Sequence, residues 1–320
     1  MMLRPSRPSR PSQPSGLAKL VVQPVISAAR PVPIGWKSGL LLAFTSLAGL
    51  AMFAWPLLIP APPSAAQHAP DAPFIFVVIL PLLVCLVLAQ LAEGGMDAKA
   101  LAILGVLSAV NAALRPLGAG TNGIETVFFL LILAGRVFGP GFGFVLGCTS
   151  LFASALLTAG VGPWLPFQML SSAWVGLGAG LLPQRFRGRP IKGAAEIGLL
   201  VGYGIVAAYL FGALMNLWFW PFMAGPTMGD GVSLSYIPGA PLGQNLYHFL
   251  WFTLITSTAV WDTGRAITNS VLIIVLGPSV LGILRRATDK ANFAPLVEFE
   301  AAPGAVAEAP AHRHAGTRVA

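Results

Sequence analysis

Two arginines stand apart from the rest of the charge in this 320-residue chain. Arg115 closes one apolar run and Arg265 opens another, and each has an acid nearby, Glu125 for the first and Asp262 for the second. A charge at membrane depth is stable only with a partner or in a wet cavity. Asp262 precedes Arg265 by three residues, a spacing that pairs them along a helix. Glu125 is placed to pair with Arg115 across a mouth. Amides and indoles gather at the same depth. Asn111 lies one turn inside Arg115, and Asn122 sits in the Gly-rich stretch after it. Trp164 and Gln168 flank the start of one run, Asn216 and Trp218 end another, and Asn269 lies one turn inside Arg265. These residue types recognise; they do not make or break bonds. Guanidinium groups suit an anionic or carboxamide-bearing solute, and indoles suit a flat ring. Together they would line a pocket for a polar organic molecule. The competing use of the same residues is interfacial anchoring by Trp with surface ion pairs.

Other chemistry finds little support. Gly118-Ala119-Gly120-Thr121-Asn122-Gly123 has the G-x-G-x-x-G spacing, but no strand precedes it and it lies between apolar runs. A loop over the outer pocket is the better use of its glycines. The sequence has no phosphate-binding Walker motif, no G-x-S-x-G, no H-E-x-x-H and no Asp-rich run. His68 and His248 are isolated, and His312 and His314 lie near the C-terminus. No catalytic set, metal site or cofactor is expected. Cys85 and Cys148 sit inside apolar runs, as small packing residues do. Small residues recur at a spacing of four, Ala98 with Ala102, then Gly105, Ala109 and Ala113. Such a face lets two membrane helices approach closely, either within this chain's bundle or on a partner membrane subunit.

The elements that position these residues follow from composition. Hydrophobic residues make up 56% and charged residues only 9%, against about 25% charged in a soluble domain. Mean hydropathy is +0.77. The chain is therefore an all-α integral membrane protein, and its net charge of +8 serves topology, with no nucleic acid implied. With roughly 20 residues per crossing, the apolar runs give eight spans: 39–59, 74–91, 100–114, 125–137, 141–159, 167–183, 197–220 and 265–284. Between the last two, 221–241 is Gly/Pro/Ser-rich and Asn245–Thr258 is aromatic and apolar, as an interfacial or dipping helix would be. With both termini inside, all of the 19 basic residues except Arg115 and Arg265 fall on the cytoplasmic side. Residues 1–38 form a basic Arg-Pro-Ser tail, 39–97 a helix pair, 98–286 the core and 287–320 a second tail. Ala61–Ala66 leaves open a cleavage after the first span.

Four segments carry a family resemblance: Val110–Arg115, Phe128–Pro140, Gly143–Leu170 and Trp261–Ala266. The most specific piece is Gly162-Pro163-Trp164-Leu165-Pro166-Phe167-Gln168. Over 98–286 the chain resembles the substrate-binding S components of energy-coupling factor (ECF) transporters, in a long form with an extra N-terminal helix pair. The resemblance implies a six-helix core that captures a vitamin or related micronutrient on the outer face of the cell membrane. It implies docking onto a transmembrane T component through the small-residue face Ala98, Ala102, Gly105, Ala109 and Ala113. Two ATPase subunits would hydrolyse ATP in place of this chain. At family level the solute is expected to be cobalamin or a vitamin precursor. The rival class is an intramembrane lipid-modifying enzyme, which would need a metal or a nucleophile.

Overall fold

The computed structural model describes residues 34–58, 98–118, 123–223, 225–229 and 231–292, with positions 81–82, 84–85 and 88–89 between them. Most of the expected second span, 74–91, and most of the two expected tails lie outside the described residues; where the tails are described, 36–38 and 287–292 are helical instead, continuing the first and last helices. The helices are α1 (Trp36–Phe53), α2 (Trp55–Leu58), α3 (Ala98–Gly118), α4 (Val127–Phe138), α5 (Pro140–Leu157) and α6 (Leu165–Leu181). After a short hairpin, β1 (Arg185–Phe186) and β2 (Arg189–Pro190), come α7 (Ala194–Phe219), α8 (Leu242–Thr253), α9 (Thr263–Val275) and α10 (Gly277–Asn292).

Helix α4 is the centre of the bundle. Every residue in Val127–Phe138 except Val137 is buried, as expected of a helix that is Leu, Ile and Phe on all sides. Its 12 residues reach only about 18 Å. Gly139 stops it at φ 96°, and Pro140 restarts the chain as the first residue of α5. Helices α5 and α6 then approach along a seam of small residues. A Cβ on either Gly143 or Gly176 would stand 2.2 Å from the other's carbonyl oxygen, and Gly147 faces the Ala173 backbone. The close helix contact inside this chain is therefore here. The stripe of α3 is different. Ala98, Ala102, Gly105, Ala109 and Ala113 are all exposed, and among the described residues nothing lies within 4 Å of a Cβ built on Gly105. The opposite face of α3 packs on α5, where Ser108 bonds Thr149 at 2.7 Å and Asn111 bonds Ser150 at 3.0 Å.

Helix α1 packs on α6 and α7. Its buried side is Ser38, Leu42, Thr45, Gly49 and Phe53. Trp174 Nε1 donates to Ser46 Oγ at 3.0 Å, and Phe53 meets Phe167 edge-on at 5.0 Å. Fully burying one such ring stabilises by about 1.5–3 kcal/mol.

After α7 the chain folds back as a cap with its own core of Trp220, Leu234, Phe249 and Phe252. Trp220 Nε1 donates to the Leu234 carbonyl at 2.9 Å. Asn245 both accepts from and donates to the Ile237 backbone. His248, expected to be isolated, is buried and bonded through Nδ1 to the Ser235 carbonyl at 3.2 Å.

A π-helical stretch, Leu254–Asp262, joins α8 to α9, so 242–275 is one rod. It then bends by 66° into α10 at Leu276, just before Gly277-Pro278. The expected last span, 265–284, thus runs across this bend, and the aromatic segment Asn245–Thr258 is continuous with its first half.

Among the described residues, four helices are long and apolar enough to cross a membrane: Trp36–Phe53, Ala98–Gly118, Pro140–Leu157 and Ala194–Phe222. The bent pair makes a fifth. The expected fourth and sixth spans appear as helices of 12 and 17 residues. At the end of the bundle opposite Arg115, Arg136 and Glu196 form an ion pair at 2.8 Å with both side chains almost fully buried. Arg285 reaches Glu196 from α10 at 2.7 Å. Arg136, read in the sequence as a topology charge, also has a structural role in this pair.

Candidate solute-binding site

The end of α3, the start of α4 and the α8–α9 rod meet at a hollow of about 200 Å³ lined by Arg115, Gly118, Gly123, Ile124, Glu125, Trp261 and Arg265. Glycine is required at two points of the wall. A Cβ on Gly118 would collide with the Ile124 carbonyl, and Gly123 (φ 79°) lies against the Trp261 backbone.

The two arginines have different surroundings. Arg265 is held on several sides. Its Nε donates to Glu125, and its Nη1 donates to Asp262 at 2.8 Å and to the Ala208 carbonyl at 3.3 Å. The guanidinium also lies 4.8 Å from the Phe211 ring centre and 5.6 Å from that of Phe128. Asn269 Nδ2 ties the Glu125 carbonyl to the Arg265 carbonyl, at 2.9 and 2.8 Å. Arg265 therefore locks α4, α7 and α9 together. Arg115 has no carboxylate partner among the described residues. Its Nη2 donates to Gln168 Oε1 at 2.9 Å. The expected Glu125–Arg115 pair is thus corrected to Glu125–Arg265, because the rod brings Arg265 to the start of α4. The expected Asp262–Arg265 pair is present.

The π stretch explains how Asp262 is held. In a π-helix, residues five apart align, and Ser257 Oγ donates to Asp262 Oδ2 at 3.0 Å. In an α-helix that spacing would point the two side chains well apart. Gly212 makes the room. A Cβ there would overlap the Asp262 carboxylate, 1.9 Å from Oδ1.

Other sequence-predicted residues fall at different places. Asn111 is buried a turn below Arg115. Trp218 stacks on Phe167 at 4.5 Å and 4°, beside Gln168 in the chain. Asn216 is on the turn of α7 before Trp218. Trp164 is half-exposed, its ring lies over Gly162, and it does not line the hollow. Asn122 lies outside the described residues. Several buried polar atoms of this region have no hydrogen-bond partner: Asn111 Oδ1, Asn216 Nδ2, Trp218 Nε1, Asn269 Oδ1 and Ser154 Oγ. Thr45, Ser171, Ser172 and Thr253 elsewhere in the bundle have such atoms too. Sequence reasoning missed Trp261, Ser257 and Gly212. Only Trp261 left a trace, since it opens one of the segments that carried the resemblance. Among the described residues no cluster of His, Cys, Asp and Glu could hold a metal ion.

A family model described as "ECF transporter, substrate-specific component" matches residues 99–277, more than half of the chain. The chain belongs to that family. It is a membrane transport protein of the substrate-binding kind, a transporter subunit built of apolar helices. No curated protein and no solved structure matches it.

Proposed function

We propose that this chain captures a small micronutrient with an anionic or carboxamide group on the outer face of the cell membrane, for ATP-driven import. Arg115 carries the reading: a cation at the mouth of the bundle, held by the neutral Gln168 and facing a hollow walled by glycine backbone. The hollow is smaller than the roughly 300–1,000 Å³ of a pocket that encloses a drug-sized ligand. It suits one charged or amide end of the solute. Asn111, Asn216 and Trp218, with their unpartnered polar atoms, are the groups to meet the rest, and Trp164, Gln168 and the loop at Asn122 would border it. Glu125, Asp262, Arg265 and Asn269 shape the wall.

The exposed small-residue stripe on α3 is the docking face for a T component, with two ATPase subunits completing the transporter. Its exposure, with no neighbour at Gly105 among the described residues, supports that use. Both termini are cytoplasmic, and residues 98–286 form a six-helix core. Eight spans cross the membrane, the rod 242–275 serving as the last. Cobalamin or a vitamin precursor is the proposed solute class. Purification in detergent followed by mass spectrometry of co-eluting small molecules tests the reading. A single enriched micronutrient bearing a carboxylate, phosphate or carboxamide is expected. Enrichment only of lipids, with a modified lipid product, would favour an intramembrane enzyme instead.

A further inference from the structure

At the end of the bundle opposite the hollow, the hairpin after α6 presents an unusual surface. Phe186 is 65% exposed between the exposed Arg185, Arg187 and Arg189, with Lys192 beyond. No acid occurs between Leu181 and Ala195. Strands β1 and β2 pair Arg185 with Pro190 and Phe186 with Arg189, so Arg187 and Gly188 form a two-residue turn. Both have positive φ, 49° and 78°. Glycine or asparagine is the low-cost occupant of the first position. An arginine there keeps a charge at the tip against its backbone preference. The guanidinium of Arg187 lies 5.5 Å from the Phe186 ring centre.

The hairpin is held by its roots. Arg136 Nη1 donates to the Leu182 and Pro183 carbonyls at 3.1 and 2.9 Å. Gln184 donates back to the Arg136 carbonyl. Glu196, at the start of α7, accepts from both Arg136 and Arg285. The same triad therefore fixes the hairpin beside α10, whose Arg286 is also exposed. Helix α10 is set at 66° to the rod 242–275.

We infer that this hairpin, with the adjoining face of α10, is a docking surface for anionic lipid headgroups of the leaflet at the basic end. Arg185, Arg187 and Arg189 take the phosphates, and Phe186 sits at the boundary between headgroups and acyl chains. The charges alone would fit an acidic protein. The exposed ring among them favours a lipid surface, where an aromatic side chain is stabilised beside phosphate-bound arginines. The surface is separate from the solute site and does not depend on the reading of it.

The test uses the full chain in neutral detergent, titrated with phosphatidylglycerol or phosphatidylcholine, with bound lipid counted by native mass spectrometry. The wild-type protein should retain phosphatidylglycerol preferentially. R185Q/R187Q/R189Q should raise its half-saturating concentration on the order of a hundredfold, at about fivefold per arginine. F186S should weaken it less. Inorganic phosphate at the same concentration should not displace the lipid. R187G guards against a fold defect: it relieves the positive φ, so it should melt no lower than wild type, yet bind phosphatidylglycerol about fivefold more weakly. Equal retention of the two lipids, unchanged binding in R187G, or displacement by inorganic phosphate would overturn the inference. So would full lipid retention by the triple variant with loss of co-purifying T component, which would assign the surface to a protein.

Discussion

Arg265→Ala is the sharpest perturbation of the outer site. The side chain of Asp262 is only 1% exposed, and that of Glu125 is 23% exposed. Removing the guanidinium strands a buried carboxylate, which costs about 3–5 kcal/mol. Loss of the contacts with Phe211 and Phe128 adds roughly 0.5–1 kcal/mol each. On a scale of about 2–4 °C per kcal/mol for a domain of this size, the apparent melting temperature in detergent should fall by roughly 10 °C or more. The Arg265→Ala/Asp262→Ala double variant should recover most of that loss, because Glu125 can turn toward water and Asp262 cannot. Glu125→Gln alone should lower melting less than Arg265→Ala. Differential scanning fluorimetry on purified protein reads all four. An Arg265→Ala protein melting within about 2 °C of wild type, under 1 kcal/mol on that scale, would refute the lock. A double variant no better than the single would show that the loss lies in the ring contacts alone.

Three further outcomes follow from the same geometry. Gly212→Ala should destabilise by displacing Asp262, and Asp262→Ala in that background should restore part of the melting temperature. Gly176→Leu should force α5 and α6 apart and lower stability by at least about 1–3 kcal/mol, measurable by fluorimetry. Ala109→Leu, on the exposed stripe, should leave melting unchanged within about 0.5 kcal/mol and abolish co-purification with a T component. A folded Ala109→Leu protein that still co-purifies would remove the docking role from α3.

Local sequence spacing carried part of this structure, and tertiary contact carried the rest. The apolar runs of α5 and α7 were legible because each is long and uninterrupted, whereas that of α3 is short and was placed by the charge pattern. The Asp262–Arg265 pair was legible because three residues on a helix is a local relation. The partner of Glu125 was not, since Arg265 reaches it only through the packed rod. Nothing in Leu254–Asp262 announces a π-helix, so the link between Ser257 and Asp262 and the continuity of 242–275 stayed hidden. Arg136 illustrates the limit of counting charges. It lies at the basic end as the asymmetry requires, but it is buried against Glu196, which itself reads as an ordinary helix-start acid. The small-residue pattern of α3 was found and the tighter seam of Gly143, Gly147 and Gly176 was not, because a glycine that packs on backbone is visible only when both helices are in place.

If Arg115 receives the solute, its replacement must weaken binding without unfolding the protein. Isothermal titration of the co-eluting micronutrient into wild-type and Arg115→Gln proteins, both in detergent, tests it most directly. Arg115 holds no carboxylate among the described residues, so its replacement should leave the melting temperature within about 2 °C of wild type. Affinity should fall by about 1.5–3 kcal/mol, the worth of a hydrogen bond to a charged group. Unchanged affinity in a folded Arg115→Gln protein would contradict the account and move the binding site away from the mouth at α3.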